Sequence, residues 1–170
     1  MNKHVLLLQP AWERATEEPI CMPLGLAWVG AATRDAGYSV SIVDLLLKKD
    51  YEWKNLLSSV LEEKMPFVIG VQFHSIVSLN SCCDACKFIK AKYPNIVIVG
   101  GGETASRRAN FILNNGYADY IVDGEGEITF PELLHHIKHS LALNNLPGIV
   151  YRENGEIIRN QERRLIDNLD

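Results

Sequence analysis

Apolar positions along the chain follow two alternating rhythms: short continuous runs and longer stretches at helical spacing. His4 to Gln9 is a nearly unbroken apolar run closed by Pro10, the pattern of a strand buried on both faces. Leu24 to Ala36 is rich in small residues and precedes Gly37, a residue suited to a left-handed helix cap, so it predicts the first helix. Tyr38 to Asp44 predicts the second strand. Trp53, Leu56, Leu57, Val60 and Leu61 then recur at helical spacing, with Glu62, Glu63 and Lys64 outside and Pro66 as the stop. Phe67 to Phe73 reads as a third strand, Ser78 to Lys92 as a third helix, and Ile96 to Val99 as a fourth strand running into Gly100-Gly101-Gly102. A helix over Thr104 to Asn114 stops at Gly116, and Tyr120 to Val122 is a fifth strand. Glu127 to Leu143 is a last helix with Leu133, Leu134, Ile137 and Leu141 on one face.

Five strands, each followed by a helix, imply an α/β fold with a parallel sheet. The expected architecture is a flavodoxin-like doubly wound sheet of strand order 2-1-3-4-5, its faces covered by right-handed crossovers. The end of the chain changes character. Gly148 to Arg152, the turn Glu153-Asn154-Gly155 and Glu156 to Arg159 predict a β-hairpin with a type I′ Asn-Gly turn. The expected organisation is an α/β domain over residues 1–146, a hairpin extension over 147–160 and a linker over 161–170.

Composition narrows the function classes. With 17 Lys+Arg against 21 Asp+Glu, the 170 residues carry a formal charge of −4, and the densest basic spots are Arg107-Arg108 and Arg163-Arg164. A phosphate-tracking surface needs a basic field, so nucleic acid is set aside as a partner. The apolar run Val5 to Leu8 is too short for a membrane span or a signal-peptide core, which points to no membrane association and a cytoplasmic address. Cys21 stands alone, and Cys82, Cys83 and Cys86 lie within five positions, which is not a secreted disulfide framework.

In an open parallel sheet, ligands bind beyond the carboxyl ends of the strands, where strand order reverses. The loops to inspect are therefore Gln9-Pro10, Asp44, Phe73-His74-Ser75, Gly100-Gly101-Gly102 with Glu103-Thr104, and Asp123-Gly124-Glu125-Gly126-Glu127. Three consecutive glycines exceed what a tight turn needs and favour close approach of a ligand to backbone. Around Gly124 and Gly126, three carboxylates oppose phosphate and suit hydroxyls, amides or a cationic edge; Glu125 and Glu127 equally complement a helix dipole. Gln9-Pro10-Ala11-Trp12-Glu13 contains no glycine, so a dinucleotide fingerprint is absent. The clustered acids of a phospho-receiver and the Ser/Thr-rich loop of a flavodoxin are absent there as well.

Two clusters invite a metal. Cys82 and Cys86 begin a Cys-x3-Cys-x2-Cys pattern whose third position is Ile89, and with Leu79 and Cys83 they form one apolar helix face, so packing competes with metal binding. His135, His136 and His139 read as the solvated end of the last helix, complementing its dipole.

The loops carry a resemblance. Pro23-Leu24-Gly25-Leu26-Ala27, Ala36-Gly37-Tyr38 with Val43-Asp44, Val68-Ile69-Gly70-Val71, Val99-Gly100-Gly101-Gly102, Asp123-Gly124-Glu125-Gly126-Glu127 and Pro147-Gly148-Ile149-Val150-Tyr151-Arg152 occur in order over nearly the whole chain. Together they resemble the cobalamin-binding domain that precedes the catalytic barrel in cobalamin-dependent radical S-adenosylmethionine enzymes. Ser75-Ile76-Val77 approximates the S-x-L of the wider cobalamin-binding fold, and Gly100-Gly101 stands at its Gly-Gly. The D-x-H-x-x-G that follows strand one in methyltransferases and mutases is absent, as it commonly is in the radical relatives.

The resemblance implies a cobalamin bound with its lower base detached, the flat tail entering an apolar slot beside the sheet. It implies a site drawn from Gln9, Pro10, Leu24, Gly25, Asp44, Phe73, His74, Ser75, Ile76, Val77, Gly100, Gly101, Gly102, Glu103, Thr104, Asp123, Gly124, Glu125, Gly126 and Glu127. Within it, Gly100, Gly101 and the small residues of the first helix wall the slot, Ser75 bonds the tail's nitrogen, and Glu125 and Glu127 accept bonds from corrin amides or the ribose. His74 is the candidate cobalt ligand. Without the cluster cysteines the chain is not catalytic alone; S-adenosylmethionine and an iron–sulfur cluster belong to a catalytic domain beyond it, with methyl transfer the expected reaction. Two other classes stand beside this reading: a flavodoxin-like interaction module that binds no corrin and self-associates, and a metal-binding domain using Cys82, Cys83 and Cys86.

Overall fold

A computed structural model describes residues 3–11, 22–47 and 52–164. Trp12, Glu13, Cys21 and the end of the expected linker lie outside the described residues. The elements in chain order are β1 (His4–Gln9), α1 (Leu24–Asp35), β2 (Ser39–Asp44), α2 (Trp53–Lys64), β3 (Val68–Gln72), α3 (Leu79–Lys92), β4 (Val97–Gly101), α4 (Glu103–Arg107), α5 (Ala109–Asn114), β5 (Tyr120–Val122), α6 (Gly126–His139), β6 (Ile149–Glu153) and β7 (Glu156–Arg159). Short 3-10 turns at Leu45–Leu47 and Ile76–Ser78 follow β2 and β3.

The five parallel strands take the expected order β2-β1-β3-β4-β5. Among the described residues the sheet has seven strands, because β6 pairs antiparallel with β5 and β7 with β6. The hairpin is thus an extension of the sheet rather than an appendage to it. Asn154 and Gly155 have φ of 51° and 89°, the two positive values that a type I′ turn demands.

Strand alternation splits the interior into two cores. Leu6, Leu8, Ile69, Val71, Ile98 and Ile121 face Leu57 and Leu61 of α2, Cys82, Cys86 and Ile89 of α3, and Ala105 and Ile112 of α4 and α5. Val5, Leu7, Val68, Val99 and Val122 face Leu26 of α1 and Phe130, Leu133 and Leu134 of α6. The connection from β1 to β2 runs on one face and that from β2 to β3 on the other, so strand order reverses between β1 and β3. Gln9 and Gln72 are the last residues of those two strands.

Two predicted helices differ. The stretch Thr104 to Asn114 is broken at Arg108, which has φ −112° and ψ 18°, and neither Gly nor Pro marks the break in the sequence. The last helix stops at His139, where Ser140 turns left-handed with φ 52° and its amide donates to the Ile137 carbonyl. Leu141, placed on the apolar face by the periodicity, is therefore beyond the helix and 44% exposed.

Candidate functional site

At the reversal point, a cavity of about 240 Å³ opens between the sheet and the α1/α6 layer. Leu7, Gly70, Gln72, Val99 and Val122 contribute from the strands, Gly25, Leu26 and Val29 from α1, and Phe130 from α6. Gly101 and Gly102 close one side, and Gly124, Glu125, Gly126 and Glu127 form the rim. The walls are apolar side chains and bare backbone, and none of the described lining residues is basic. Such a slot suits a flat, uncharged ring and brings no basic side chain to a phosphate.

Glycines set how closely the walls of this space pack. A Cβ on Gly70 would stand 2.7 Å from Leu7 Cδ2 and 3.2 Å from Phe130 Cζ, so the slot's floor is already in contact with its glycine. A Cβ on Gly126 would meet Val29 Cγ2 at 2.9 Å, which is how the start of α6 comes close to α1. Gly101 is different: a Cβ there meets nothing within 4 Å, on the face that strand alternation assigns to the slot.

Gly100 lines the slot as expected, though its missing side chain opens space elsewhere. Strand alternation turns it to the opposite face, where a Cβ would lie 2.8 Å from Ile121 Cδ1 and 3.2 Å from Phe73 Cε2. It makes room for buried Phe73 and lines the cavity only through backbone. Gly102 combines φ of 97° with a Cβ position 2.9 Å from the Phe73 carbonyl oxygen, so both conformation and backbone contact demand glycine.

Of the expected site residues, the structure brings Gly25, Gly100, Gly101, Gly102, Gly124, Glu125, Gly126 and Glu127 to the cavity. Others sit elsewhere at the same edge. Asp44 accepts a hydrogen bond from the Leu46 amide at 2.9 Å and starts a 3-10 turn. Glu103 pairs with Arg107 at 2.8 Å, and Asp123 pairs with Arg159. Ser75 is tied to its own turn: its amide donates to Ser78 Oγ at 3.2 Å, and its carbonyl accepts from that hydroxyl at 2.8 Å. Leu24, His74, Ile76 and Val77 are exposed, whereas Gln9, Phe73 and Thr104 are buried. Pro10 is not among the described lining residues. Ile76 and Thr104 instead border a separate open depression with Arg107 and Arg108.

Sequence reasoning missed Leu7, Leu26, Val29, Gly70, Val71, Gln72, Val99, Val122 and Phe130, because it searched loops while the slot's walls are strand interiors and helix faces. Gly70 was the available signal, a glycine inside an otherwise β-branched strand. The cysteines of α3 take no part. Burial pushes the Cys82 thiol up to about 12 and that of Cys83 to about 11, and raises Cys86 well above the ordinary thiol range, so all three are held neutral as core side chains. Among the described residues, no group of three or more His, Cys, Asp or Glu side chains is arranged to hold a metal. No described helix is long and apolar enough to cross a membrane.

A family model for the B12 binding domain matches residues 14–134. An anaerobic magnesium-protoporphyrin IX monomethyl ester cyclase of Synechocystis sp. is 29% identical over 154 residues, covering 87% of this chain and 30% of the relative. A hopanoid C-3 methylase of Methylococcus capsulatus is 27% identical over 130 residues, covering 75% of this chain and 24% of the relative. The fold is also that of the radical S-adenosylmethionine methyltransferase TsrM from Kitasatospora setae, solved with cobalamin and a [4Fe-4S] cluster bound, with a TM-score of 0.83 at 23% identity. That superposition covers 99% of this chain and 30% of TsrM. The chain therefore spans about a third or less of the length of these relatives. A glycine-walled slot at the strand-order reversal and a family match over residues 14–134 agree: the chain belongs to the B12-binding domain family and is a cobalamin-binding domain.

Proposed function

We propose that this domain holds cobalamin with its lower base detached and serves as the cofactor-carrying part of a larger radical S-adenosylmethionine enzyme, one that transfers methyl groups. The observation that carries this reading is the slot's size and chemistry. At about 240 Å³ it falls below the roughly 300–1,000 Å³ typical of pockets that enclose a drug-sized ligand, so it suits a flat bicyclic tail and leaves a macrocycle outside. Its apolar walls favour a neutral ring, and the orphaned buried Oε1 of Gln72 is a polar atom in want of a partner.

Bound there, cobalamin supplies a cobalt that carries a methyl group. The chain's own residues bind and orient. Gly101 leaves open space, Gly70 lets Leu7 and Phe130 pack down on the sheet, Leu7, Val99, Val122 and Phe130 exclude water from the slot, and Glu125 and Glu127 offer acceptors to amide or hydroxyl donors at the mouth. His74 is the described histidine at this edge of the sheet and our candidate for a ligand to cobalt. If it ligates, the paramagnetic Co(II) form shows nitrogen splitting that vanishes in His74→Ala; unchanged spectra remove it from that role.

Exposed apolar side chains at the same edge support docking of a second domain. Val77 is 77% exposed and Ile76 57%, both just past the carboxyl end of β3. The names of the relatives, a cyclase, a methylase and a methyltransferase, support a shared holding role and leave the substrate to the rest of each enzyme. The direct test is to mix the protein with hydroxocobalamin, desalt it and record the spectrum. About one chromophore retained per chain supports the reading, and a colourless protein overturns it.

A further inference from the structure

We propose that the Gln72 carboxamide, rather than Ser75, reads the hydrogen-bonding edge of the heteroaromatic base that enters the slot; this rests on the reading that the tail of cobalamin occupies it. Gln72 ends β3, and strand alternation puts its side chain on the same face as Gly70. Its register partner on β4 is Gly101, so no side chain covers it from that side. On the other side its Nε2 is 3.8 Å from where a Cβ of Gly25 would stand. Two glycines thus leave the amide facing the cavity it lines.

Among the described lining residues, Gln72 is the neutral polar side chain in an apolar wall, the remaining polar side chains being the two rim carboxylates. Its Oε1 is buried without a hydrogen-bond partner, and so is Nε2 of Gln9, which ends the neighbouring strand on the same face. Buried amides left unpaired are costly, and a native structure keeps one where a ligand completes it. A carboxamide presents a donor and an acceptor that exchange by a simple flip, so it serves a ring nitrogen without hydrogen as well as an N–H or hydroxyl edge. Ser75, by contrast, has its backbone amide and carbonyl engaged by Ser78 and is not among the described lining residues.

The test compares two probes, hydroxocobalamin and diaquacobinamide, a corrin that lacks the nucleotide tail. Absorbance titrations are run on wild type, Gln72→Leu, Gln72→Met and Ser75→Ala, with thermal melts to establish that each is folded; the Met variant serves if the Leu variant is not. The proposal expects both Gln72 variants to lose about three- to tenfold in affinity for cobalamin, the worth of one neutral hydrogen bond, with cobinamide affinity unchanged and Ser75→Ala like wild type. Equal losses for both probes, no loss, or a cobalamin-specific loss in Ser75→Ala alone each overturn it. Wild type that binds cobalamin no tighter than cobinamide overturns the tail-in-slot reading itself, and the Gln72 proposal with it.

Discussion

Two adjacent glycines show how side-chain direction alone divides labour. Gly100 and Gly101 look equivalent in sequence, yet strand alternation sends one into the core around Phe73 and Ile121 and the other into the slot. Gly100→Ala forces a methyl group to within 2.8 Å of Ile121 Cδ1, so it is expected to destabilise the fold by about 1–3 kcal/mol, the usual range for overpacking, read as a lowered denaturation midpoint. The thiols give a second residue-scale prediction. With thiol pKa raised to about 12 at Cys82 and about 11 at Cys83, and pushed well above the ordinary thiol range at the fully buried Cys86, little thiolate exists at pH 8 in the folded protein. Mass-spectrometric mapping after brief alkylation is expected to find these three sites unmodified natively and modified in denaturant. Rapid native labelling at Cys82 would contradict the packing assigned to it.

Helix and strand periods made the order of elements legible because each run buries a face, and burial writes itself into sequence spacing. The five parallel strands and their order follow from that pattern and from crossover handedness. Long-range pairing left no such mark: nothing in Ile149 to Glu153 announces that it joins the edge of β5. The slot was half legible for the same reason. Its glycine-rich rim stands in loops where turn chemistry is visible, whereas Gln72 and Phe130 become site residues only once sheet and helix are packed.

The hairpin also acts on the site. Arg159 of β7 pairs with Asp123 at the start of the rim loop and donates to the Ser106 carbonyl, while the Asp123 amide donates to the Gly148 carbonyl at 2.8 Å. Farther along, Arg163 donates to Thr129 Oγ1 at 2.7 Å and pairs with Glu132, fastening the segment after β7 to α6. Arg159→Gln is expected to leave the melting temperature almost unchanged, since a part-exposed ion pair is worth about 0–1 kcal/mol. Amide hydrogen exchange over residues 123–126 is expected to quicken, because the loop loses its tether. Exchange unchanged there would show that the backbone bond to Gly148 suffices.

At the scale of the molecule, the mild charge of −4 and the carboxylate rim belong together. An apolar slot with no basic lining residue among those described and with acidic lips suits a neutral ring and amide donors, and the family match over residues 14–134 points to a ligand that has both. The matched relatives are about three or more times as long as this chain, and exposed Ile76 and Val77 are the surface we propose for another domain. The slot is where we propose that cobalamin is held. Gly101→Leu tests that most directly, since a side chain there has open space within 4 Å and fills the slot without disturbing the core. Titrated with hydroxocobalamin beside wild type, Gly101→Leu is predicted to melt like the parent and to lose binding by at least about a hundredfold, as expected when a ligand's buried part is denied its pocket. Full affinity in a folded Gly101→Leu protein would contradict the account.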